Sequence, residues 1–297
     1  MTERLSFGKR LWRALGILGI TGAAALIVYG VFVRPWVLTW GASQNEVLMP
    51  LPGDNLVPHP TATSTRAITI HAPARKVWPW LMQMGQDRGG FYSYTFLENL
   101  LGADIHNRDH IVAEWQERRV GDLVRSVPAD YLDGRLGKDI GWYIERLEPN
   151  RLLVLRGWGA FVLHPIDGQR TRLIIRTSGS IKGPWRILDH LILQPVHFIM
   201  ERRMLLGIKE QAEAGGGVHI PSAADLTWFL LMVAAGMGIF AIALSNRWPR
   251  SLIVSVLAGI LLVLALFLLP PAPFFSGTLL LLILLALTWA YWPQRQR

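Results

Sequence analysis

The sequence contains no cysteine, and only 17% of its residues are charged. Without cysteine the chain can form neither a disulfide framework nor a thiolate metal site. Intrinsic disorder is excluded too, because disordered chains combine few apolar residues with many charges, whereas 51% of this sequence is hydrophobic. The GxGxxG, P-loop and GxSxG motifs are also absent. Neither a nucleotide site nor a nucleophile elbow is therefore indicated, and no cofactor is expected.

Most of the net positive charge lies beside long apolar runs. Residues 44–220 contain 21 Lys/Arg and 19 Asp/Glu, so that region is nearly neutral although the whole chain carries +9. Basic residues beside apolar runs are typical of membrane proteins. Those outside the central region are Arg4, Lys9, Arg10, Arg13, Arg34, Arg247, Arg250, Arg295 and Arg297. We therefore expect a lipid bilayer as partner and no nucleic acid.

Four uncharged runs predict transmembrane helices. They cover 14–33, 226–246, 251–269 and 274–292, and each has about the 20 residues needed to cross ~30 Å of hydrocarbon. The first has a long apolar core with no cleavage site after it, which favours a retained anchor over a signal peptide. Tryptophans, which prefer the membrane interface, lie near the predicted ends: Trp12, Trp36, Trp40, Trp228, Trp248, Trp289 and Trp292.

The basic residues also predict an orientation. With four spans, the N-terminal segment, the loop at 246–250 and the tail 293–297 fall on one side, which the positive-inside rule makes cytoplasmic. Among the basic residues that flank the apolar runs, Arg34 is the one that falls on the other side. The sequence therefore predicts a multi-pass protein of the cell membrane, with both termini in the cytoplasm and the central region outside it.

The central region has the length of one domain. Residues 41–65 are predicted as a linker or extended lead-in, 66–214 as the domain and 215–225 as a glycine-rich linker. Helices are predicted at 72–84 and 91–101, followed by a long one at 184–213 that is bent or interrupted at Pro195. Alternating patterns predict strands at 66–71, 120–127, 141–147, 151–158, 160–166 and 171–178. This order predicts an α+β fold, a curved antiparallel sheet around the C-terminal helix with an apolar cavity between them.

Three segments of this region resemble a known superfamily. They are RAITIHAPARKVWPWLMQMGQDRGGFYSYTFLENLLGADIHN, VGDLVR and HFIMERRMLLGIKEQAE. They resemble the START-like helix-grip superfamily (SRPBCC), which includes polyketide cyclases and dehydrases and lipid-transport domains. The segments W-P-W-L-x-Q-M-G and G-G-F-Y-S-Y-x-x-L-E-N are similar to those of a bacterial, membrane-anchored branch. The resemblance covers about half of the chain, excludes the apolar runs, and implies a cavity for a hydrophobic ligand.

Polar and aromatic side chains supply the candidate ligand-binding residues. Gln83, Tyr92 and Tyr94 surround Gly89-Gly90, where the backbone can approach a ligand closely. The full set of candidates is Gln83, Tyr92, Tyr94, His106, His110, Trp115 and Trp142. For Gln83, Tyr92 and Tyr94, the alternative is a loop whose side chains simply pack on the core.

A metal site is considered at His106, His110 and Glu114, which would form one stripe on a helix. Gly102 and the composition of 104–107 argue against a helix there. A polar loop is therefore the preferred interpretation, and no metal is expected.

On the long helix, His190, Gln194, His197 and Glu201 fall on one stripe. The stripe could face the cavity and supply a general base, but a solvated face is favoured, with Leu188, Ile192 and Ile199 buried. The charged run 201–203 is expected to form ion pairs on the helix surface. The tryptophans of the region are expected mainly in the core, with some lining a cavity or resting on the bilayer: Trp78, Trp80, Trp115, Trp142, Trp158 and Trp185.

These patterns favour a membrane-tethered domain that binds a hydrophobic small molecule or a lipid. The first alternative is a cyclase- or dehydrase-type enzyme acting in the same cavity, for which Tyr92, Tyr94, His106 and His110 are the residues to test. The second is a structural or sensory module whose cavity is filled by its own side chains. The sequence predicts no oligomeric state.

Overall fold

The structure is a computed structural model that describes residues 6–181, 183–245, 248 and 250–291. The chain divides into two compact units, one comprising Met1–Pro35 with Ser222–Arg297 and the other Trp36–Pro221. The predicted roles of Arg4, Arg247, Trp292 and the tail 293–297 fall outside the described residues.

Helices and strands occur in the order the sequence predicts. The α-helices of the described residues are α1 (Phe7–Val28), α2 (Arg34–Leu38), α3 (Gln44–Leu48), α4 (Ala74–Met82), α5 (Thr95–Glu98), α6 (Trp185–Leu188), α7 (Gln194–Ala214), α8 (Ala223–Ala243), α9 (Arg250–Leu268) and α10 (Pro273–Tyr291). The strands are β1 (Ala62–Ile70), β2 (Leu123–Arg125), β3 (Gly141–Glu148), β4 (Leu152–Leu155), β5 (Gly159–Pro165) and β6 (Thr171–Gly179). π-helical turns at Tyr29–Val33 and Asp189–Leu193 join α1 to α2 and α6 to α7.

Three helices are long and apolar enough to cross a membrane: Gly8–Leu38, Ala223–Ala243 and Arg250–Leu268. The fourth predicted span corresponds to α10, whose apolar part, Pro273–Trp289, is shorter. Helix α8 begins three residues before the predicted start. The Ser222 hydroxyl accepts a hydrogen bond from Asp225 N, and the Asp225 carboxylate accepts one from Ser222 N. Asp225 is thus a capping residue in the first turn rather than a charge outside the helix.

Within this helical unit, glycines allow close helix packing. A Cβ on Gly259 would lie 2.5 Å from Thr21 Cγ2, and one on Gly238 would lie 2.5 Å from Ile283 Cγ2. Small residues commonly let membrane helices approach in this way. Arg13, two turns before Thr21, donates to the carbonyl of Ser245, just before α9. Along α1, Arg13 contacts Ser245, which precedes α9, and Thr21, further on, contacts Gly259 within α9. The two helices α1 and α9 therefore run parallel.

The second unit contains a six-stranded, wholly antiparallel sheet in the order β1-β6-β5-β4-β3-β2. Each predicted strand overlaps one of these strands, and the α+β class is confirmed. Leu173 and Ile175 on β6 face the main core with α4 and α7, while Ile174 packs on the opposite face with Leu51. The alternation in the β6 sequence thus places adjacent residues on opposite faces of the sheet.

The segment 41–65 is more ordered than its composition predicts. Ser43 and Glu46 form a capping box at the start of α3, and β1 already begins at Ala62. Arg172 binds Glu46 at 2.7 Å and lowers the pKa of that carboxyl to about 2, mainly through this hydrogen bond. Arg176 donates to the carbonyls of Glu46, Val47 and Met49. Arginines on the outer face of β6 therefore fasten this segment to the sheet.

The long C-terminal helix is interrupted where the sequence predicts a break. The π-helical turn Asp189–Leu193 directly precedes α7, in which Pro195 occupies the first turn. Proline has no N–H to donate, and a local π turn accommodates that missing bond. Helix α7 ends at Ala214 and is capped by Gly215, whose φ of +79° favours glycine.

Candidate functional site

A cavity lies between α7 and the sheet inside the unit Trp36–Pro221. Its volume is about 240 Å³, and its walls are mostly apolar and aromatic. The large apolar side chains that line it are Phe91, Ile105, Trp142, Trp158, Met200 and Met204. The polar side chains are Ser93, Glu98, Ser126, His197 and Glu201. Apolar walls with a few polar groups are typical of small-molecule sites.

A second cavity of about 260 Å³ adjoins the first. Both are lined by Trp142, Trp158 and His197, so these three side chains form a partition between them. The second cavity also has Arg66 and Gln194 in its walls and is the more polar of the two.

The two tryptophans of the partition are held by ring contacts and tight turns. Their ring centroids lie 4.4 Å apart, and each lies 5.9 Å from that of Phe91. Trp158 sits in the β4–β5 connection between Gly157, with φ of +87°, and Gly159, where a Cβ would come within 1.9 Å of Arg176 O. The glycines therefore allow the turn that places the Trp158 indole over the cavity.

Behind the partition lies a buried charge network centred on Glu201. Arg66 Nη1 donates to Glu201 Oε1 at 2.6 Å, and both side chains are almost completely buried. His197 Nε2 lies 2.8 Å from Glu201 Oε2. Burial alone would raise the pKa of Glu201, but the charge of Arg66 and the hydrogen bonds with Arg66 and His197 outweigh it. The pKa therefore lies well below its usual value, and the carboxyl is ionised.

This network corrects the interpretation of the long helix. The stripe containing His197 and Glu201 was predicted to be solvated, and that prediction is wrong. Glu201 is buried, whereas Leu188 and Ile192, predicted as the buried side, are exposed. Arg203 is also buried, although its partner Glu210, at 3.0 Å, is partly exposed, so of these two pairs only that of Arg66 with Glu201 is fully internal. The reason is that Arg66 on β1 neutralises Glu201, which allows the helix to turn its charged residues inward.

Glu98 is the second carboxyl in the apolar cavity. It ends α5, and its Oε2 atom is buried without a hydrogen-bond partner in the described part of the chain. Burial raises its pKa to about 7. A carboxyl that can gain or lose a proton near neutral pH inside a cavity is a candidate functional group.

Of the predicted ligand residues, Trp142 lines both cavities. Gln83, Tyr92 and Tyr94 are completely buried in the core and line neither one. Gln83 Nε2 donates to His110 O at 3.0 Å, and its Oε1 accepts from Val112 N, so it fastens a loop. Tyr92 packs edge-on against Trp80, and burial raises its pKa.

The remaining candidates lie on the surface loop that follows α5. His106 and His110 are exposed, and each pairs with a neighbouring aspartate at 2.9 Å, Asp104 and Asp109 respectively. Trp115 is half-buried beneath the guanidinium of Arg108. Residues 103–112 form no helix, so the stripe considered for a metal does not exist. Among the described residues, no group of three His, Asp or Glu side chains could hold a metal ion.

Comparison with known proteins gives no match to any protein-family model, curated protein or solved structure. The site must therefore be interpreted from its own residues.

Proposed function

We propose that the unit Trp36–Pro221 binds an apolar small molecule or a lipid in the cavity beneath α7, and that the apolar helices hold this unit at a membrane. The observation that carries the proposal is the cavity itself, which is walled by Phe91, Trp142, Trp158 and two methionines. Each CH₂ group moved from water into such walls contributes roughly 0.8 kcal/mol. A short apolar chain would thus be retained without an ionic contact.

The cavity volumes limit the size of the ligand. At about 240 and 260 Å³, each cavity is smaller than the ~300–1,000 Å³ typical of drug-sized ligands. A compact ligand would occupy the first cavity alone. A longer one would have to displace the partition of Trp142, Trp158 and His197.

The proposed fold of this unit is the START-like helix-grip arrangement. The resemblance of its segments to that superfamily supports this, and so does the six-stranded antiparallel sheet that packs against α4 and α7 through a common core. In such a fold the cavity between sheet and helix is the expected ligand site.

For the helical unit we propose four membrane spans with both termini in the cytoplasm. Besides the three long apolar helices, α10 has 19 residues, or about 28 Å at 1.5 Å per residue, close to the ~30 Å of hydrocarbon. Arg13 contacts the backbone just after the end of α8. Arg250, at the start of α9, lies over the ring of Trp289 near the end of α10. Basic residues of two segments, the first helix and the start of α9, thus lie at one end of the unit, the end proposed to face the cytoplasm. The cavity-bearing unit is then extracytoplasmic.

Binding is tested with purified full-length protein in lipid nanodiscs. Native mass spectrometry should detect one apolar molecule retained per chain. In Ala103→Phe, a ring placed on a buried residue of the cavity wall should expel it. Ala113→Phe, on an exposed residue away from both cavities, is the matched control and should retain it. Equal retention by Ala103→Phe and the unaltered protein, or no retained molecule in either, would contradict the proposal.

A specific geometry favours acid–base catalysis in the same cavity as the second candidate function. His197 bonds Glu201 through Nε2, so the buried carboxylate orients the imidazole, and its side chain lines the cavity together with Glu98. A general base that is oriented by a hydrogen bond to another side chain is a common arrangement in enzymes. A dehydration would need both roles: His197 would take a proton from carbon while Glu98 donates one to the departing hydroxyl, which leaves as water.

The two candidate functions make different predictions for Glu98→Gln. If the cavity is catalytic, this variant should retain the bound molecule but lose turnover by about 10²–10⁴-fold, the usual contribution of general acid–base catalysis. Incubation of extracted ligand with the full-length protein, followed by mass spectrometry of the products, measures both quantities. Retention without any conversion by the unaltered protein would leave binding as the function.

A further inference from the structure

The helical segment 185–196 exposes an unusual amount of apolar surface. Six of its large apolar side chains are between 41% and 67% exposed: Trp185, Ile187, Leu188, Ile192, Leu193 and Val196. Trp185 is therefore one of the tryptophans of this region that do not pack in the core. Contiguous apolar patches on a protein surface mark sites of interaction with a partner or a membrane.

Two polar side chains of this segment, Asp189 and Gln194, are turned toward the protein. Asp189 accepts a hydrogen bond from Gln194 Nε2 at 2.7 Å, and both residues line the second cavity. Leu188, Ile192 and Val196 recur at four-residue spacing and are exposed. A surface helix of a soluble domain normally has the reverse arrangement, with its apolar stripe inward.

The chain itself indicates what covers this face. Leu38, the last residue of the apolar helix Gly8–Leu38, lines the second cavity together with Leu193. Trp36 and Trp40, on either side of Leu38, pack edge-on against Phe198 of α7, with ring centroids 5.9 and 6.3 Å away.

We infer that residues 185–196 lie in the lipid–water interface of the membrane that the apolar helices occupy. Trp185 suits this interface, where indole rings concentrate, and Arg186 beside it suits anionic head groups. The second cavity, lined by Leu38 and Leu193, would then open at the lipid surface and give an apolar ligand a path to the partition. This inference rests on the proposed membrane attachment but not on ligand binding.

The absence of cysteine allows a direct test with single cysteines in the full-length protein. Ile187→Cys, Ile192→Cys and Val196→Cys report on the segment. Val120→Cys and Leu136→Cys are controls at residues of the same unit that are 62% and 64% exposed. Each is labelled with an environment-sensitive fluorophore in phosphatidylcholine–phosphatidylglycerol vesicles. Quenching by doxyl-labelled lipid and by aqueous iodide is then compared.

We expect labels at 187, 192 and 196 to be quenched several-fold more by doxyl lipid than those at 120 and 136, with the opposite order for iodide. Equal iodide quenching at all five positions would overturn the inference. Protection from both quenchers would also overturn it, since a protein partner or a second copy would then cover the face. Leu257→Cys, exposed on α9, distinguishes the two failures: if doxyl lipid does not quench that label, the membrane attachment itself is wrong.

Discussion

Replacing Glu201 with glutamine should lower the free energy of unfolding by about 3–5 kcal/mol, the usual cost of removing one partner of a buried ion pair. The loss is large because Arg66 would keep its charge at a site that is only 1% exposed. Its remaining side-chain hydrogen bond, which Nε donates to Val37 O at 2.9 Å, does not neutralise the charge. Denaturant unfolding of the full-length protein in detergent, followed by tryptophan fluorescence, measures the change.

Two further variants separate the ion pair from general effects of mutation. The double variant Arg66→Met/Glu201→Leu removes both charges and should recover most of the loss, since apolar replacements of buried pairs are often neutral or stabilising. Arg156→Ala breaks an exposed pair with Glu145 at 2.7 Å and should cost no more than about 1 kcal/mol. If Glu201→Gln lowers the free energy of unfolding no more than Arg156→Ala does, the carboxylate of Glu201 does not stabilise the buried charge of Arg66.

The sheet could be predicted because its signal is local. In β6, Leu173 and Ile175 alternate with Arg172 and Ile174, and the structure puts the two sets on opposite faces. The segment 41–65 lacked such a signal. It is fixed to the sheet by Arg172 and Arg176, which follow it by more than 100 residues.

The site was only partly predictable for the same reason. Trp142 could be predicted as a cavity residue because a small domain with many tryptophans does not need all of their rings for its core, so some can line a cavity. The orientation of α7 could not be predicted, because apolar and charged residues occur on both sides of this helix. Arg66 was the available signal, since a charge in an otherwise apolar strand needs a buried partner. Its partner Glu201 follows 135 residues later, so periodicity could not connect them.

Glu98 escaped notice because one glutamate at the end of a short helix has no distinctive pattern. Its chemistry depends on the apolar walls that the fold brings around it, chiefly Trp142, Trp158 and Met204. These three side chains follow much later in the sequence and reduce the access of water to the carboxylate. A measurable consequence is a dependence of stability on pH.

Glu98→Gln should stabilise the protein at pH 8 by about 1–3 kcal/mol and have little effect near pH 5. The folded pKa is raised from 4.5 to about 7, so between these values the folded state holds a proton that the unfolded state has released. Stability contributed by this proton is full below pH 4.5 and is lost as the pH rises through 7. One pKa unit corresponds to 1.36 kcal/mol of stability. Because Glu98 is partly accessible to solvent, the expected change is smaller than the full shift of its pKa would give.

Glutamine imitates the protonated carboxyl at every pH, so the variant should not lose stability as the pH rises through 7. Thermal unfolding of the full-length protein across pH 5–8 measures the difference, and Glu114→Gln, at an exposed glutamate, is the matched control. Parallel curves for Glu98→Gln and the unaltered protein would show that the Glu98 carboxyl is solvated. The apolar cavity would then have lost its candidate acid, and binding without catalysis would be the only function its walls support.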